Sequence, residues 1–371
     1  MADQGGDGQA QADRLRLIRS ANIGPVTYAQ LIARFGTATA AIAAIPMLAA
    51  RGGGRAPVLA DPRTIDREMA ATSRLGARYL FSDDPDYPPL LAELESAPPA
   101  LIVRGNVNLL HRTSVAMVGA RNASAAACRF ARQLGHDLAD AGLVVVSGLA
   151  RGIDTAAHVG ALGADSSDGG TIAVIACGID IVFPPENAAL QERIAREALL
   201  ITEHPPGTEP LARHFPQRNR IIAGLALGTV VVEAAPKSGS LITARLAGEA
   251  GREVMAVPGS PIDPRAQGCN GLIRDGATLI QNAADILEQI RPIDGRMVRA
   301  PTSPFGAAPP DDASDADRRA ITALLGMVAV SVDELIRQSG IAPAIVQTVL
   351  LELELAGRLE RHAGGRVSLS G

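Results

Sequence analysis

The chain has 371 residues, 35 of them Lys or Arg and 39 Asp or Glu, for a formal net charge of −4. That length accommodates two or three domains, and the charge excludes a surface that binds polyanions all over, so any such partner must meet a local patch. Apolar residues make up 47% but aromatics only 2%, so the core is built from Ala, Val, Leu and Ile.

The N-terminal stretch MADQGGDGQAQ (1–11) lacks a basic region and an apolar run, and reads as a disordered tail rather than a signal peptide. Residues 12–75 have helical periodicity, with Leu15, Leu17 and Ile18, then Leu31, Ile32 and Phe35. NIGP (22–25), RFGT (34–37) and RGGGRAP (51–57) interrupt it, giving a small helical module of SAM or helix-hairpin-helix (HhH) type. A helix-hairpin-helix turn can hold phosphate, but Pro25 has no N–H to offer, so this one reads as a plain helical turn.

From residue 77 the pattern changes to short β-rich runs. ARYLF (77–81) and ALIVRG (100–105) come first, with DYPPLLAEL (86–94) between them. VAMVGA (115–120), LVVVSG (143–148), TIAVIA (171–176), LLITE (199–203), GTVVVEA (228–234), EVMAVPG (253–259) and ATLI (277–280) follow. Their spacing of about 25–30 residues is one βαβ step. Most are apolar throughout, as parallel strands buried on both faces require. With helical stretches at 128–142 and 187–198 between them, residues 77–290 predict an α/β fold: an extended Rossmann-like, doubly wound, mostly parallel sheet.

Residues 291–316 are rich in Pro, Ala, Ser and Asp without period and read as a linker. Residues 317–371 then predict three helices and a hairpin with Gly364-Gly365 at its tip, a winged helix. Ser331 is placed to N-cap the second helix and Gly340 to stop it.

Ligands of parallel sheets bind beyond the carboxyl ends of the strands. Four loops there carry candidate residues. GARNAS (119–124) offers Arg121, with Ser124 as a helix cap. SGLARGID (147–154) offers Gly148, Arg151 and Gly152. HFPQRNRIIAG (214–224) offers Phe215 as a stacking ring, with Arg218, Asn219 and Arg220. APKSGSLITA (235–244) offers Lys237, Ser238, Gly239 and Ser240, a cation and short donors at a helix N-terminus. Lys237 is the single lysine; every other basic residue is an Arg, a bias that GC-rich coding explains but that also supplies planar forks suited to phosphate. Helical geometry keeps Arg218 and Arg220 from facing one way, so one is expected to be structural, pairing with Glu203 or Glu233, and one to face the ligand. Phe215 is alternatively a core residue.

No P-loop and no G-x-G-x-x-G is present. The six His show no metal spacing, and Cys128, Cys177 and Cys269 suit free thiols in a reducing cytosol. No cofactor is implied. Asp154 and His158, four apart on a helix, can face each other and hold the loop and helix in place. Glu233 could act as acid or base but more readily pairs with an Arg. No nucleophile–base set is visible, so no enzymatic activity is expected.

The segments YPPLLAELESAPPALIVRGN, VAMVGARNAS, SGLARGIDTAAHVGAL, TIAVIACGIDIVFPPEN, FPQRNRIIAGLALGTVVVEAAPKSGSLITARLAGEAGREVMAVPG and GCNGLIRDGA strongly resemble the DprA/Smf family of bacterial DNA-processing proteins. The resemblance runs through residues 77–285 in order, and the flanking modules also look like those of many members. It implies a cytoplasmic protein that binds single-stranded DNA and hands it to the RecA recombinase, notably in natural transformation. It also implies a homodimer through the Rossmann-like domain and no chemistry performed. Family DNA contacts fall here near Arg121, Gly148, Arg151, Phe215, Arg218, Asn219, Arg220 and Lys237–Ser240. The alternative is a nucleotide-handling enzyme such as a phosphoribohydrolase, for which a Gly-Gly-x-Gly-Thr run before an acid would be expected and is absent. In the C-terminal module, Glu352 and Glu354 in the third helix disfavour a phosphate-facing role.

Overall fold

The computed structural model describes residues 4–290, 312–362 and 364–370. They fall into two compact units, one from residue 70 to 290 and one built from both ends of the chain.

The central unit is a nine-stranded sheet. Its strands are β1 (Arg78–Phe81), β2 (Ala100–Gly105), β3 (Ser114–Gly119), β4 (Val144–Ser147), β5 (Gly170–Val174), β6 (Leu199–Thr202), β7 (Gly228–Val232), β8 (Glu253–Ala256) and β9 (Thr278–Leu279), in the order β1-β2-β6-β5-β4-β3-β7-β8-β9. Strands β3 to β9 pair in parallel, whereas β1 and β2 join the β6 edge antiparallel. Every apolar run expected as a strand is one.

Alternate residues of these strands supply two cores. Ala116, Val118, Val144 and Val146 pack on one face with Ile221, Ile222 and Ile194. Val115, Met117, Val145 and Val230 pack on the other with Leu134, Leu138 and Ala157. Both faces are covered, which is why the strands show no polar alternation.

The chain winds from β3 through β4 and β5 to β6, then returns to the other side of β3 as β7. The crevice beyond the carboxyl ends of β3 and β7 is therefore the topological switch point.

The other unit starts with helices Gln4–Ile18, Pro25–Phe35 and Ala38–Arg51, around a core of Leu17, Leu31, Ile45 and Leu48. Helix Gln4–Ile18 corrects the expected tail: residues 4–11 are helical despite Gly5, Gly6 and Gly8. Extending a formed helix needs no new nucleus, so poor formers are carried along. The C-terminal part has helices Asp315–Leu324, Val332–Ser339 and Pro343–Leu355. A three-stranded sheet joins them, β10 (Val330–Ser331), β11 (Leu359–His362) and β12 (Arg366–Leu369) in the order β10-β12-β11. This is a winged helix, with Ser331 capping Val332–Ser339 and a left-handed Gly340 ending it, as expected. Of the expected linker, 291–311 lie outside the described residues; at its far end Ser314 already caps a helix, accepting from Asp317 N. Among the described residues no single helix is long and apolar enough to cross a membrane.

Candidate nucleic-acid interface

The loop after β3 brings out Arg121, exposed, and ends at Ser124, which caps helix Ala125–Asp140. Ser124 N and Oγ donate to the two carboxylate oxygens of Glu233 at 2.7 and 2.5 Å. The expected Arg partner of Glu233 is thus replaced by a helix N-terminus, a favourable place for negative charge. The physical reason is register: Glu233 follows β7, which pairs in parallel with β3, so its side chain reaches the neighbouring loop. Held by two donors, this carboxylate is not placed as a free acid or base.

The loop after β4 is pinned from below. Asp154 accepts hydrogen bonds from Gly148 N and Ala150 N at 3.2 and 3.4 Å. Burial raises its pKa, and the charge of Arg218 and the two amides oppose that rise. Asp154 and His158 do not bond each other. His158 Nδ1 lies 2.7 Å from Thr171 Oγ1, whose own proton goes to Val145 O. Nδ1 is therefore the protonated nitrogen and donates, leaving buried Nε2 without a hydrogen bond among the described residues. Burial, and secondarily Arg218, pushes His158 down to about 3. The expected Asp–His pair is two separate anchors, because Asp154 turns to the loop before its helix and His158 to β5.

Helix His214–Leu225 carries the Arg-Asn-Arg group across the crevice. Arg218 is only 4% exposed. Its Nη1 donates to Gly148 O and to Val174 O, and its Nε to Asn219 Oδ1 at 3.1 Å. Burial lowers its pKa to about 10, which leaves it charged at neutral pH. Its Nη2 makes no hydrogen bond among the described residues, and the side chain lines the crevice. Arg220 points elsewhere, bonding the Glu203 carboxylate and, at 2.6 Å, Ser96 O. The expected structural arginine is Arg220, which is therefore not a strand contact as the sequence also offered it, and the expected ligand-facing one is only partly so. Arg220 is structural through Glu203, and Arg218 is largely spent on backbone carbonyls while one nitrogen remains on the crevice floor.

Phe215 is half-buried, with the Arg121 guanidinium 5.1 Å above its ring centroid and the Phe183 ring 5.7 Å away. Both stand at the rim, so the core alternative does not describe Phe215. Across the crevice, the exposed Lys237 precedes helix Gly239–Glu249, whose N-cap Ser238 accepts from Ser240 N. Asn219 Nδ2 ties this loop down by a 3.5 Å bond to Gly239 O.

These elements enclose about 770 Å³ lined by Arg121, Asn122, Asp154, Phe215, Arg218, Asn219, Lys237–Ser240 and Arg265. Four cations line it with one buried carboxylate, Asp154, and one of the four, Arg265, is paired with Asp263 at 2.9 Å. Among the described residues neither Arg121 nor Lys237 pairs with an acid, so a mildly acidic chain has a locally positive crevice. A smaller adjoining pocket adds Gly148, Arg151, Cys177 and Phe183. Arg151 lies 3.6 Å from Glu186. Burial pushes the Cys177 thiol up to about 12, which keeps it protonated at neutral pH. Two sequence candidates line neither space: Arg220, for the reason above, and Gly152, where a Cβ would sit 2.2 Å from Ala120 O and whose role is the packing of two loops. Sequence reasoning passed over Arg265 and Phe183. Arg265 follows β8 in another strand-end loop, so the topological rule that singled out the other loops applied to it as well. Among the described residues no His, Cys, Asp and Glu gather as a metal site.

Three family models match the chain: DNA recombination-mediator protein A over residues 78–291, a DprA-like N-terminal HHH domain over 8–71 and a DprA winged helix domain over 305–365. Protein Smf of Escherichia coli is 39% identical over 313 residues, 84% of this chain and 83% of its own. The DNA processing protein DprA of Streptococcus pneumoniae is 46% identical over 206 residues, 56% of this chain and 72% of its own. The solved structure of Streptococcus pneumoniae DprA superposes with a TM-score of 0.58 at 41% identity, covering 62% of this chain and 79% of that one. That of Helicobacter pylori DprA, a study of its single-stranded DNA binding mode, gives 0.52 at 28% identity, covering 57% and 94%.

Proposed function

The chain belongs to the DprA family of DNA recombination-mediator proteins, and from that premise we propose that it binds single-stranded DNA in the switch-point crevice and hands it to the RecA recombinase. The observation that carries this reading is the pairing of unneutralised Arg121 and Lys237 with the Phe215 ring over one open crevice. Phosphates are drawn to the cations and to the N-terminus of helix Gly239–Glu249. An unstacked base lies on Phe215, which a duplex, its bases stacked inside, cannot offer. The names of the relatives support DNA processing as the setting; natural transformation, a cytoplasmic location and a homodimer formed through the Rossmann-like domain belong to the same proposal. The engagement of Glu233 by Ser124 and the burial of Asp154 and His158 support a binder that performs no reaction.

The single lysine provides the test. An amine-reactive acylating probe has one internal target, Lys237, and its labelling is read by peptide mass. Saturating homopolymeric single strand is expected to protect Lys237 strongly, with protection fading as salt rises. Labelling that proceeds equally fast with and without bound strand would place the DNA elsewhere.

A further inference from the structure

Helix Pro343–Leu355 holds the place in the winged helix that in DNA-reading relatives of this architecture enters the major groove. Here it is apolar on two sides. Val346, Val349, Leu350 and Leu353 belong to the winged-helix core. Leu351 and Leu355, 3% and 0% exposed, belong instead to the core of the N-terminal helices. A helix with two apolar stripes is a buried helix, not a groove reader.

Polar contacts flank that apolar seam. Gln30 Nε2 donates to Gln347 Oε1 at 2.8 Å, and Arg51 Nη1 lies 2.5 Å from Asp312 Oδ2. The glycine run of RGGGRAP finds its reason here. A Cβ on Gly52 would lie 2.1 Å from Glu352 O, and one on Gly54 2.4 Å from Ala356 O. Backbone meets backbone so closely that only glycine fits. The two acidic residues of the helix do not look outward either: Arg318 grips Glu352 with Nε and Nη2 at 2.8 and 2.9 Å, and Arg361 Nε holds Glu354 at 2.8 Å.

We propose that the winged helix is a clasp for the chain's own N-terminal module: the outer face of its third helix is a docking surface whose occupant is the helical hairpin of residues 25–54, and duplex DNA is excluded from that helix. The inference stands on the unit built from the chain ends and is independent of the crevice.

The test uses the full chain with Gln30→Cys and Gln347→Cys in a Cys128→Ser background, since Cys177 and Cys269 are buried. Equilibration in a glutathione redox buffer gives the effective concentration of the two thiols. A docked clasp is expected to exceed by at least a hundredfold the roughly millimolar value of a flexible tether, and Gly54→Trp is expected to lower it to that value while single-strand binding persists, showing the central unit folded. Closing the disulfide should change affinity for a duplex by less than about twofold. A millimolar effective concentration without the Trp substitution would overturn the clasp. So would a tenfold gain in duplex affinity on reduction, which would make the helix a reader that docking conceals.

Discussion

Gly148 and Arg218 occupy one volume between them: a Cβ on residue 148 would lie 2.3 Å from Arg218 Nη1, the nitrogen that donates to Gly148 O itself. The glycine is therefore part of the arginine's site. Gly148→Ala must displace a buried cation from its carbonyls, at a cost of about 2–4 kcal/mol. If that is the mechanism, the cost disappears once the guanidinium is gone. Urea unfolding of Gly148→Ala, Arg218→Met and the double variant is expected to give a coupling energy of at least about 1 kcal/mol. Additivity within about 0.5 kcal/mol would show that the two positions act separately.

The three other cations of interest separate cleanly. Arg121 and Lys237 are exposed and, among the described residues, without acidic partners, so Arg121→Ala and Lys237→Ala should each lower single-strand affinity with stability changed by no more than about 0.5 kcal/mol. Each should also reduce the slope of log K against log salt by about 0.7. Arg220→Ala should do the reverse. It removes the Arg220 ion pair of Glu203, whose side chain is 16% exposed, costing about 1–3 kcal/mol of stability, and leaves the salt slope untouched. An unchanged slope in both of the first two variants would remove them from the strand path.

Much of this was readable in the chain, because a sheet covered on both faces writes each strand as an unbroken apolar run, and β3 to β8 are such runs. The crevice loops followed from the topology those runs imply. Arg218 and Arg220 resisted assignment because helical spacing gives the angle between two side chains but not which of them the core faces. That was settled by Glu203 on β6's loop and by the carbonyls of Gly148 and Val174, all distant in sequence. The partner of Glu233 lies 109 residues away, set by strand register alone. Likewise the second apolar stripe of helix Pro343–Leu355 is visible in Leu351 and Leu355, but nothing local says that Leu31 and Ile45 cover it.

Phe215 separates base stacking from phosphate attraction. Phe215→Leu keeps much of the apolar bulk and loses the π-face, so affinity for an ordinary single strand should fall by about 1–3 kcal/mol. Fluorescence anisotropy with an abasic strand of the same length should show almost no difference between the two proteins. An equal loss on both strands would mean that the ring serves only to hold the Arg121 guanidinium above it.

His158 predicts an acid sensitivity. Its pKa is about 3 in the fold against 6.5 unfolded, so between those values the unfolded chain carries the extra proton. Stability from this residue is thus full above pH 6.5 and falls as pH drops, by up to about 1.4 kcal/mol per unit. Asp154, raised by burial, acts with the opposite sign: what it contributes is present at low pH and is lost as pH rises through its folded pKa. The two must be separated by substitution. Urea unfolding at pH 7 and pH 5 is expected to show the unmodified protein losing about 2 kcal/mol more than His158→Asn over that interval, whatever the variant's own starting stability. Equal losses would mean that His158 takes up its proton inside the fold, where Nδ1 is already bonded to Thr171 and Nε2 has no hydrogen-bond acceptor among the described residues.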